Sequence, residues 1–273
     1  MSFRCRVVAV TGGARGIGRQ TARALAGLGA TVVIGDLDVE GAEAAARELP
    51  NATGVALDVR DPASFGDFVE AAGDVDVLVN NAGVMPLGPF LDERADRTRQ
   101  QLDVNLWGVI VGMRAALPGM VERRHGQIVN VASMGGRFPL PGAATYTATK
   151  AGVIGLTEAV RHELRGSGVT LTAVLPAMVS TELAAGVPGG RGLPAVPPER
   201  VAAAIAGAIE RRRSLVFVPG WLRYADAALG LAPRTLVDFA RRRLGDDRVL
   251  RELDVVARRA YEERLAAEAV GPR

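Results

Sequence analysis

Residues 5–18 read Cys-Arg-Val-Val-Ala-Val-Thr-Gly-Gly-Ala-Arg-Gly-Ile-Gly, and this stretch decides the fold. The apolar run Cys5–Val10 predicts a buried β-strand, and the glycines after it predict a tight turn into a helix that begins near Gly16. Such a helix N-terminus is an anion site, because its free N–H groups and the positive end of the helix dipole point at a phosphate. The same turn also occurs in ordinary strand–helix connections. Features elsewhere in the chain are needed to distinguish a phosphate-binding turn from such a connection.

Further apolar runs, rich in β-branched residues, alternate along the chain with alanine-rich stretches of helical spacing. The predicted strands are Cys5–Val10, Thr31–Gly35, Thr53–Leu57, Val75–Val79, Gln127–Val131, Thr170–Leu175 and Leu215–Val218. The predicted helices are Gly16–Leu28, Val39–Leu49, Pro62–Ala72, Asp96–Arg123, Ala143–Arg165 and Pro198–Arg212. This alternation predicts an α/β fold with a Rossmann-like, doubly wound, seven-stranded parallel sheet and helices on both faces. Ligands of such sheets bind beyond the carboxyl ends of the strands.

Two segments depart from the alternation. Gly186–Pro198 is rich in Gly and Pro and predicts a loop that covers a site at the strand ends. Pro219–Arg273 follows the last strand and has the pattern of two or more amphipathic helices. We therefore expect a Rossmann-fold domain over residues 1–218 and a C-terminal helical extension over residues 219–273.

The composition excludes several classes of protein. The 273 residues are 48% hydrophobic and 23% charged, which is an ordinary globular balance. One cysteine excludes an internal disulfide and a multi-thiolate metal site, and two histidines argue against a His-rich zinc site, so no metal is expected. A net charge of only +3 gives no reason to expect nucleic-acid binding. No uninterrupted apolar run reaches the roughly 18 residues of a membrane span and no secretory signal is visible, so we expect a cytoplasmic protein.

Polar and small residues follow the next three strands as well. Asp36 ends the second strand, where an acid can hold both hydroxyls of an adenosine ribose and repel a 2′-phosphate; this favours NAD over NADP. Arg15 in the glycine turn could bind a 2′-phosphate, which would favour NADP, or it is a solvated surface base. Asp58 could accept a hydrogen bond from the adenine amino group, or cap the helix near Pro62. Residues 80–83, Asn-Asn-Ala-Gly, suit a turn that supports the glycine loop and admits the nicotinamide ribose, or form a plain turn.

A serine, a tyrosine and a lysine follow the predicted fifth strand. Of the 33 basic residues, 32 are arginine and only Lys150 is lysine, which indicates a site that needs a compact ammonium group. Tyr146 precedes Lys150 by one helical turn, so both side chains lie on one face of the predicted helix. A nearby ammonium lowers the pKa of a phenol, which can then act as a general acid and base for an alcohol or carbonyl, while Ser133 can donate to the substrate oxygen. In the alternative interpretation, Tyr146 is a packed aromatic residue of the helix and Lys150 is a solvated lysine.

With these motifs in place, the sequence closely resembles the classical short-chain dehydrogenase/reductase family over about residues 5–218. The family's motif Thr-Gly-x-x-x-Gly-x-Gly matches Thr11, Gly12, Gly16 and Gly18, its Asn-Asn-Ala-Gly matches residues 80–83, and its catalytic tetrad matches Asn105, Ser133, Tyr146 and Lys150. The resemblance implies an NAD(P)-dependent oxidoreductase that transfers hydride between a nicotinamide and a secondary alcohol or ketone. It also implies a homodimer or homotetramer.

The resemblance further implies a role for each residue. Tyr146 takes the hydroxyl proton during oxidation, Ser133 orients the oxygen, Lys150 holds the nicotinamide-ribose hydroxyls and lowers the pKa of Tyr146, and Asn105 holds a water that joins Lys150 to solvent. The residues expected to bind the cofactor are Gly12, Arg15, Gly16, Ile17, Gly18, Asp36, Leu37, Asp58, Val59, Asn81, Ala82, Gly83, Tyr146, Lys150, Pro176, Val179 and Thr181.

One motif departs from the family pattern. After the sixth strand the family usually has Pro-Gly-x-Val-x-Thr, where this chain has Pro176-Ala177-Met178-Val179-Ser180-Thr181. Ala177 in place of glycine is expected to shift the backbone that meets the cofactor's carboxamide. Val179 still offers its backbone to that amide, and Thr181 is expected to reach the amide or a phosphate.

Residues 211–243 combine eight arginines and two acids with large apolar and aromatic residues. This pattern is typical of an interfacial helix on an anionic membrane, or, more commonly, of an amphipathic helix packed on its own domain or on a twin subunit. A membrane contact would favour a lipid-, steroid- or retinoid-like alcohol as substrate.

The residues that flank the expected site are mostly apolar, which indicates a hydrophobic substrate or simple packing. They are Met85, Pro86, Leu87, Gly135, Phe138, Pro139, Leu140 and Met178. Two other functions remain open beside the enzyme: a non-catalytic dinucleotide-sensing protein on the same fold, and a membrane-surface lipid-binding protein, which rests only on residues 211–243.

Overall fold

The computed structural model describes residues 6–189, 194–244 and 247–269. Cys5, in the first predicted strand, and residues 190–193 of the predicted loop lie outside the described residues. Residues 1–4, and residues 245–246 and 270–273 of the C-terminal extension, also lie outside them.

Seven parallel strands form one sheet, in the order β3-β2-β1-β4-β5-β6-β7. The strands are β1 (Val7–Thr11), β2 (Thr31–Asp36), β3 (Ala52–Ala56), β4 (Val77–Asn80), β5 (Gly126–Val131), β6 (Val169–Pro176) and β7 (Leu215–Val218). The prediction of a doubly wound, seven-stranded parallel sheet is confirmed. Each described strand end lies within two residues of its predicted position.

Helices connect the strands and follow the last one. The first seven are α1 (Gly16–Gly27), α2 (Val39–Arg47), α3 (Pro62–Ala72), α4 (Ala95–Leu102), α5 (Gly108–Glu122), α6 (Ala144–Glu163) and α7 (Pro198–Arg211). The C-terminal extension contains α8 (Leu222–Leu231), α9 (Arg234–Leu244), α10 (Arg248–Glu252) and α11 (Val255–Ala269).

The hydrophobic core lies on both faces of the sheet. Helices α1, α2 and α7 pack on one face, and α3, α5 and α6 pack on the other. Within β1 the side chains alternate as the geometry of a strand requires: Val8 and Val10 belong to the first core and Ala9 to the second. All three are fully buried, because helices cover both faces of a parallel sheet and leave neither to water.

The predicted helix Asp96–Arg123 is one continuous helical stretch, but a π-helical turn, Asp103–Trp107, separates α4 from α5. In this turn the N–H of Gly108 donates to the carbonyl of Asp103, five residues back. The wider turn coincides with fully buried Asn105, whose side-chain amide is bound by neighbouring backbone. Turns of this kind are frequent at functional sites.

The stretch Ala95–Glu122 is also the one helix among the described residues that is long and apolar enough, by length and composition, to cross a membrane. We did not expect such a helix, because no uninterrupted apolar run suggests it. Core helices meet the same test, and Val109, Val111 and Met113 of α5 pack in the second core.

The strand order brings the turns after β1 and β4 together at the carboxyl edge of the sheet. β1 pairs with β2 on one side and with β4 on the other, so the connections leaving β1 and β4 run to opposite faces and open a crevice between them. The C-terminal extension reaches the same edge, where Tyr261 and Leu265 of α11 are buried against Val84. The division of the chain at residue 218 stays a prediction.

Candidate active site

The turn after β1 has a backbone that only glycine fits at two positions. Gly12 has a φ of +64°, and a Cβ on it would lie 2.7 Å from the Cα of Ala82. Gly18 packs so closely that a Cβ would lie 2.2 Å from the carbonyl oxygen of Gly12. Helix α1 begins at Gly16 without a side-chain cap, so its first N–H groups stay free for an anion.

Asn81 supports this turn from the neighbouring loop. Its amide nitrogen donates to the carbonyl oxygens of Thr11 and Gly12, both at 3.0 Å, and its backbone N–H donates to the Thr11 hydroxyl at 3.0 Å. The N–H of Ala82 donates to the same hydroxyl at 3.1 Å. The turns after β1 and β4 therefore form one hydrogen-bonded unit.

Asp36 faces the glycine turn and braces it. One carboxylate oxygen accepts from the N–H of Ala14 at 2.9 Å, and the other accepts from the N–H of Asp38 at 3.1 Å. Arg15 stays a predicted cofactor residue, and its guanidinium pairs with carboxylates from two different loops. It donates to Asp38 at 2.5 Å and lies 3.7 Å from Glu182.

Asp58 does not cap α3, and this alternative is wrong. Asp61 caps the helix by accepting from the N–H of Ala63 at 2.9 Å. Asp58 instead binds Arg60, which donates from Nε and Nη2 at 2.8 and 2.6 Å. Burial acts to raise the pKa of Asp58, but the hydrogen bonds from Arg60 outweigh it and hold that pKa below its ordinary value.

Tyr146 and Lys150 lie one helical turn apart on α6, and both are buried. The Lys150 Nζ lies 5.8 Å from the centre of the Tyr146 ring and donates to the Val131 carbonyl at 2.9 Å. Burial lowers the pKa of Lys150 to about 8. Burial also raises the pKa of Tyr146 above its ordinary value, and a hydrogen bond with Ser133 opposes that rise only in part.

This direction corrects the expectation that Lys150 lowers the pKa of Tyr146. The phenol lies in an apolar cluster with Met85 and Ala143, where loss of water disfavours the phenolate. The Lys150 ammonium donates to the Val131 carbonyl, and neither Lys150 nor Val131 belongs to that cluster.

Asn105 is fully buried and holds the loop after β4. Its Nδ2 donates to the Val84 carbonyl at 2.8 Å and to the Thr149 hydroxyl at 3.2 Å, and its Oδ1 accepts from the Val84 N–H at 2.8 Å. A Cβ on Gly83 would lie 3.3 Å from this oxygen and 3.5 Å from Lys150 Nζ. Asn105 and Lys150 therefore meet at Gly83.

The segment after β6 approaches the glycine turn. A Cβ on Gly16 would lie 3.4 Å from the methyl group of Thr181. Ala177 donates its N–H to the Val218 carbonyl at 2.8 Å, and it is not among the described non-glycine residues with positive φ. Alanine therefore fits this position without backbone strain.

Nearly all of the predicted site residues line one cavity of about 1460 Å³. The exceptions are Gly18 and Asn105. Of the apolar flanking residues, all but Pro86 line it. The cavity exceeds the roughly 300–1,000 Å³ of a typical single-ligand pocket.

Several residues of the cavity wall were not predicted. The last helix contributes Tyr261, Arg264, Leu265 and Glu268. Helices α8 and α9 contribute Leu222, Ala225, Leu229 and Val237, and Trp221 directly before α8 lines the cavity as well. Their amphipathic spacing predicts helices, but nothing in it says which surface those helices cover.

Known proteins resemble this chain in sequence and in structure. Residues 6–190 match the profile of the family described as short chain dehydrogenase. The chain is 40% identical over 188 residues, 67% of its length and 72% of the relative's, to a 3-alpha-(or 20-beta)-hydroxysteroid dehydrogenase of Mycobacterium bovis.

Two solved structures have the same fold. One is a short chain dehydrogenase/reductase from Burkholderia phymatum in complex with NAD, with a TM-score of 0.75 and 28% identity over 85% of this chain and 98% of that one. The other is a 3-ketoacyl-(acyl-carrier-protein) reductase from Brucella melitensis complexed with NADH, with a TM-score of 0.74 and 30% identity over 80% and 98% of the two chains. By profile, by identity and by fold, the chain belongs to the short-chain dehydrogenase/reductase family of oxidoreductases.

Proposed function

We propose that this protein is an NAD-dependent dehydrogenase or reductase of a hydrophobic secondary alcohol or ketone, with Tyr146 as its general acid and base. One observation carries the proposal: Tyr146, Lys150 and Ser133 line the same cavity as the glycine turn. The proton-exchanging side chain and the phosphate-binding turn can therefore act on one bound complex of cofactor and substrate.

The residues of the cavity fit a nicotinamide dinucleotide. The tight backbone at Gly12 and the uncapped N-terminus of α1 suit a pyrophosphate, since a side chain at Gly12 would collide with Ala82. The cofactor residues proposed are those of the sequence prediction, with Pro176, Val179 and Thr181 at the nicotinamide end.

The carboxylates around the end of β2 favour NAD over NADP. Asp36 and Asp38 lie beside the glycine turn, and Glu182 approaches Arg15 from the opposite loop. A 2′-phosphate would meet these negative charges, and Arg15 is already paired with two of them. The two hydroxyls of an unphosphorylated ribose would instead find acceptors.

The cofactor, when bound, accepts or supplies the hydride. In reduction, the Tyr146 hydroxyl donates its proton to the substrate oxygen, and a raised pKa keeps that proton in place at neutral pH. In oxidation, Tyr146 must first lose its own proton to solvent, and the resulting phenolate then accepts the alcohol proton; the positive charge of Lys150 would stabilise that phenolate. Ser133 orients the substrate oxygen, and Asn105 holds the Val84 loop against Lys150.

The cavity wall favours a hydrophobic substrate. Apolar side chains surround the end of the cavity near Tyr146, among them Met85, Leu87, Phe138 and Leu183. The Mycobacterium bovis relative is described as a hydroxysteroid dehydrogenase, which agrees with a bulky apolar alcohol.

A screen of secondary alcohols with NAD, and of the matching ketones with NADH, tests this function. We expect turnover of bulky apolar members, followed as absorbance of the reduced nicotinamide, and we expect Tyr146→Phe to remove it. Tight NADH binding without turnover on the whole panel would instead favour the dinucleotide-sensing protein.

A membrane contact through α8 and α9 is a second candidate function beside catalysis. Leu231 is 89% exposed, and Leu236 and Phe239 are each 57% exposed, so these side chains are not packed on their own domain. Arg223 and Arg243 are also exposed, whereas the side chains of Arg234, Arg241 and Arg242 lie outside the described residues. We propose a cytoplasmic protein that binds the surface of anionic membranes through this pair of helices.

Co-sedimentation with vesicles of phosphatidylserine and phosphatidylcholine tests this contact. We expect binding that weakens with salt and is lost in the double variant Leu236→Ser/Phe239→Ser, but not with phosphatidylcholine alone. If the double variant instead changes the oligomeric state in light scattering, α9 is part of a subunit interface.

We also propose a homodimer or homotetramer. On the α4–α5 stretch, Leu102, Trp107 and Val121 are each more than a third exposed, which suits a subunit interface. Light scattering of the purified protein tests this assembly.

A further inference from the structure

Arg258 is a buried arginine whose guanidinium joins two separate loops. Its side chain is 2% exposed. Nη2 donates to the carbonyl oxygen of Met85, and Nη1 donates to those of Leu183 at 3.1 Å and Ala185 at 3.0 Å. Nε donates to Glu262 at 2.9 Å. A charge buried in this way is costly unless it is fully hydrogen-bonded, and here both ends of the planar group are occupied.

Both loops line the chamber beside Tyr146. Met85 follows the turn after β4, and Leu183 follows the segment after β6. The side chains of Met85 and Leu183 pack in the same apolar cluster as Ala143 and Tyr146. Arg258 therefore links two parts of the wall that contact Tyr146.

Other contacts of α11 hold the same loops. The hydroxyl of Tyr261 accepts from the N–H of Met85 at 2.8 Å, so α11 binds both polar groups of this residue's backbone. At the start of the helix, the N–H of Asp254 donates to the Gly186 carbonyl at 2.9 Å. Gly186 has a φ of +71°, and a Cβ on it would lie 2.2 Å from the Asp254 carbonyl oxygen. Only glycine therefore fits where this loop contacts the start of the helix.

We propose that Arg258 is a positioning residue that sets the size selectivity of the substrate chamber by tying the Met85 loop to the Leu183–Ala185 loop. The C-terminal extension thus completes the substrate chamber within the same chain. The inference rests on the proposed function, because it assumes that the substrate lies in the chamber beside Tyr146. An arginine is required, since a lysine ammonium cannot span three carbonyl oxygens with planar geometry.

The variants Arg258→Met and Arg258→Lys test the proposal, with Arg259→Met as a matched control on the exposed face of the same helix. The first readout is kcat/KM for a series of secondary alcohols of increasing size. For Arg258→Met we expect kcat/KM to fall about tenfold more for the largest alcohol than for the smallest, through KM rather than kcat. Arg258→Lys should restore part of this loss, and the control should match the wild type.

Two further measurements do not depend on turnover. Hydrogen exchange should become faster at the amides of residues 183–187 in Arg258→Met. The dissociation constant of NADH, from its fluorescence, should change less than kcat/KM for the largest alcohol, because the hydrogen bonds of Arg258 go to Met85, Leu183, Ala185 and Glu262 rather than to the glycine turn. A uniform loss for all alcohols, or unchanged exchange in this loop, would overturn the proposal.

The design separates the two proposals. If the wild type oxidises no alcohol, the proposed function fails, and hydrogen exchange alone decides whether Arg258 ties the loops. If Arg258→Met does not fold, Tyr261→Phe replaces it with the same readouts and a smaller expected effect, since it removes a single hydrogen bond to Met85.

Discussion

The Nζ of Lys150 lies 5.8 Å from the centre of the Tyr146 ring, and both groups line the cavity that the glycine turn also lines. Yet burial raises the pKa of Tyr146 and lowers the pKa of Lys150 to about 8. Without a bound cofactor, the pair is therefore a neutral phenol beside a cation that is close to losing its proton.

Tyr146→Phe should lower kcat by about 10²–10⁴-fold, the usual contribution of a positioned acid or base. It should change NADH binding far less than kcat, because the ring and its packing remain. Steady-state rates and a fluorescence titration measure the two effects. Tyr224→Phe is the control, since that tyrosine is 64% exposed on α8; equal rates for both variants would contradict the assignment.

The pH dependence of ketone reduction should follow Lys150. Its pKa of about 8 lies below its ordinary value, so the ammonium is charged at lower pH and loses its charge as the pH rises through 8. Tyr146, with a raised pKa, keeps its proton over the same range. We expect kcat/KM to be constant below pH 8 and then to fall about tenfold per pH unit, the slope for loss of one proton.

Lys150→Arg should be damaging at every pH although it keeps the charge, because the larger planar group does not fit the buried position beside Val131 and Gly83. Rates for this variant near those of the wild type would mean that a compact ammonium is not required. A fluorescence titration with NADH separates lost binding from lost chemistry.

Asp36→Ala should change both the choice and the strength of cofactor binding. Loss of the carboxylate removes a repulsive charge near the expected 2′ position, so the ratio of kcat/KM for NAD to that for NADP should fall. It also removes the acceptor of the Ala14 N–H, so NAD itself should bind more weakly. Asp74→Ala is the control, because this side chain is 96% exposed. An unchanged NAD-to-NADP ratio in Asp36→Ala would show that Asp36 does not determine the choice of cofactor.

Asp61→Ala should destabilise the protein by about 1 kcal/mol, the usual cost of losing an N-cap, without changing KM for NAD. Asp58→Asn should instead raise KM for NAD, since Asp58 lines the cavity and caps no helix. Urea denaturation and cofactor titration of the two variants check this pair. An unchanged KM for NAD in Asp58→Asn would contradict a place for Asp58 in the cofactor site.

Local patterns were sufficient for much of the fold and of the candidate site. The strands follow from apolar runs and the helices from their spacing, because both depend on contacts within a few residues. Gly12 and Gly18 could be singled out for a similar reason, since a strand that turns directly into a helix needs a backbone without side chains. Tyr146 and Lys150 share a face because one helical turn separates them.

Longer-range contacts explain part of what the sequence patterns missed. The capping of α3 is not such a case, because Asp58 binds Arg60 only two residues away and Asp61 stands directly before Pro62. The partners of Arg15, in contrast, come from Asp38 and from Glu182 across the cavity. The pKa of Tyr146 depends on how completely the surrounding loops exclude water. The spacing of residues along α6 does not predict this.

The sequence by itself determined the parallel sheet, the glycine turn and the pairing of Tyr146 with Lys150, because the physical causes of each act between near neighbours along the chain. Only the tertiary structure decided that α11 closes the cavity and that Arg258 joins Met85 to Leu183, 173 residues and 75 residues away along the chain. Such contacts depend on the docking of one helix face against loops that the sheet has already brought together, so they arise only after the whole chain is folded.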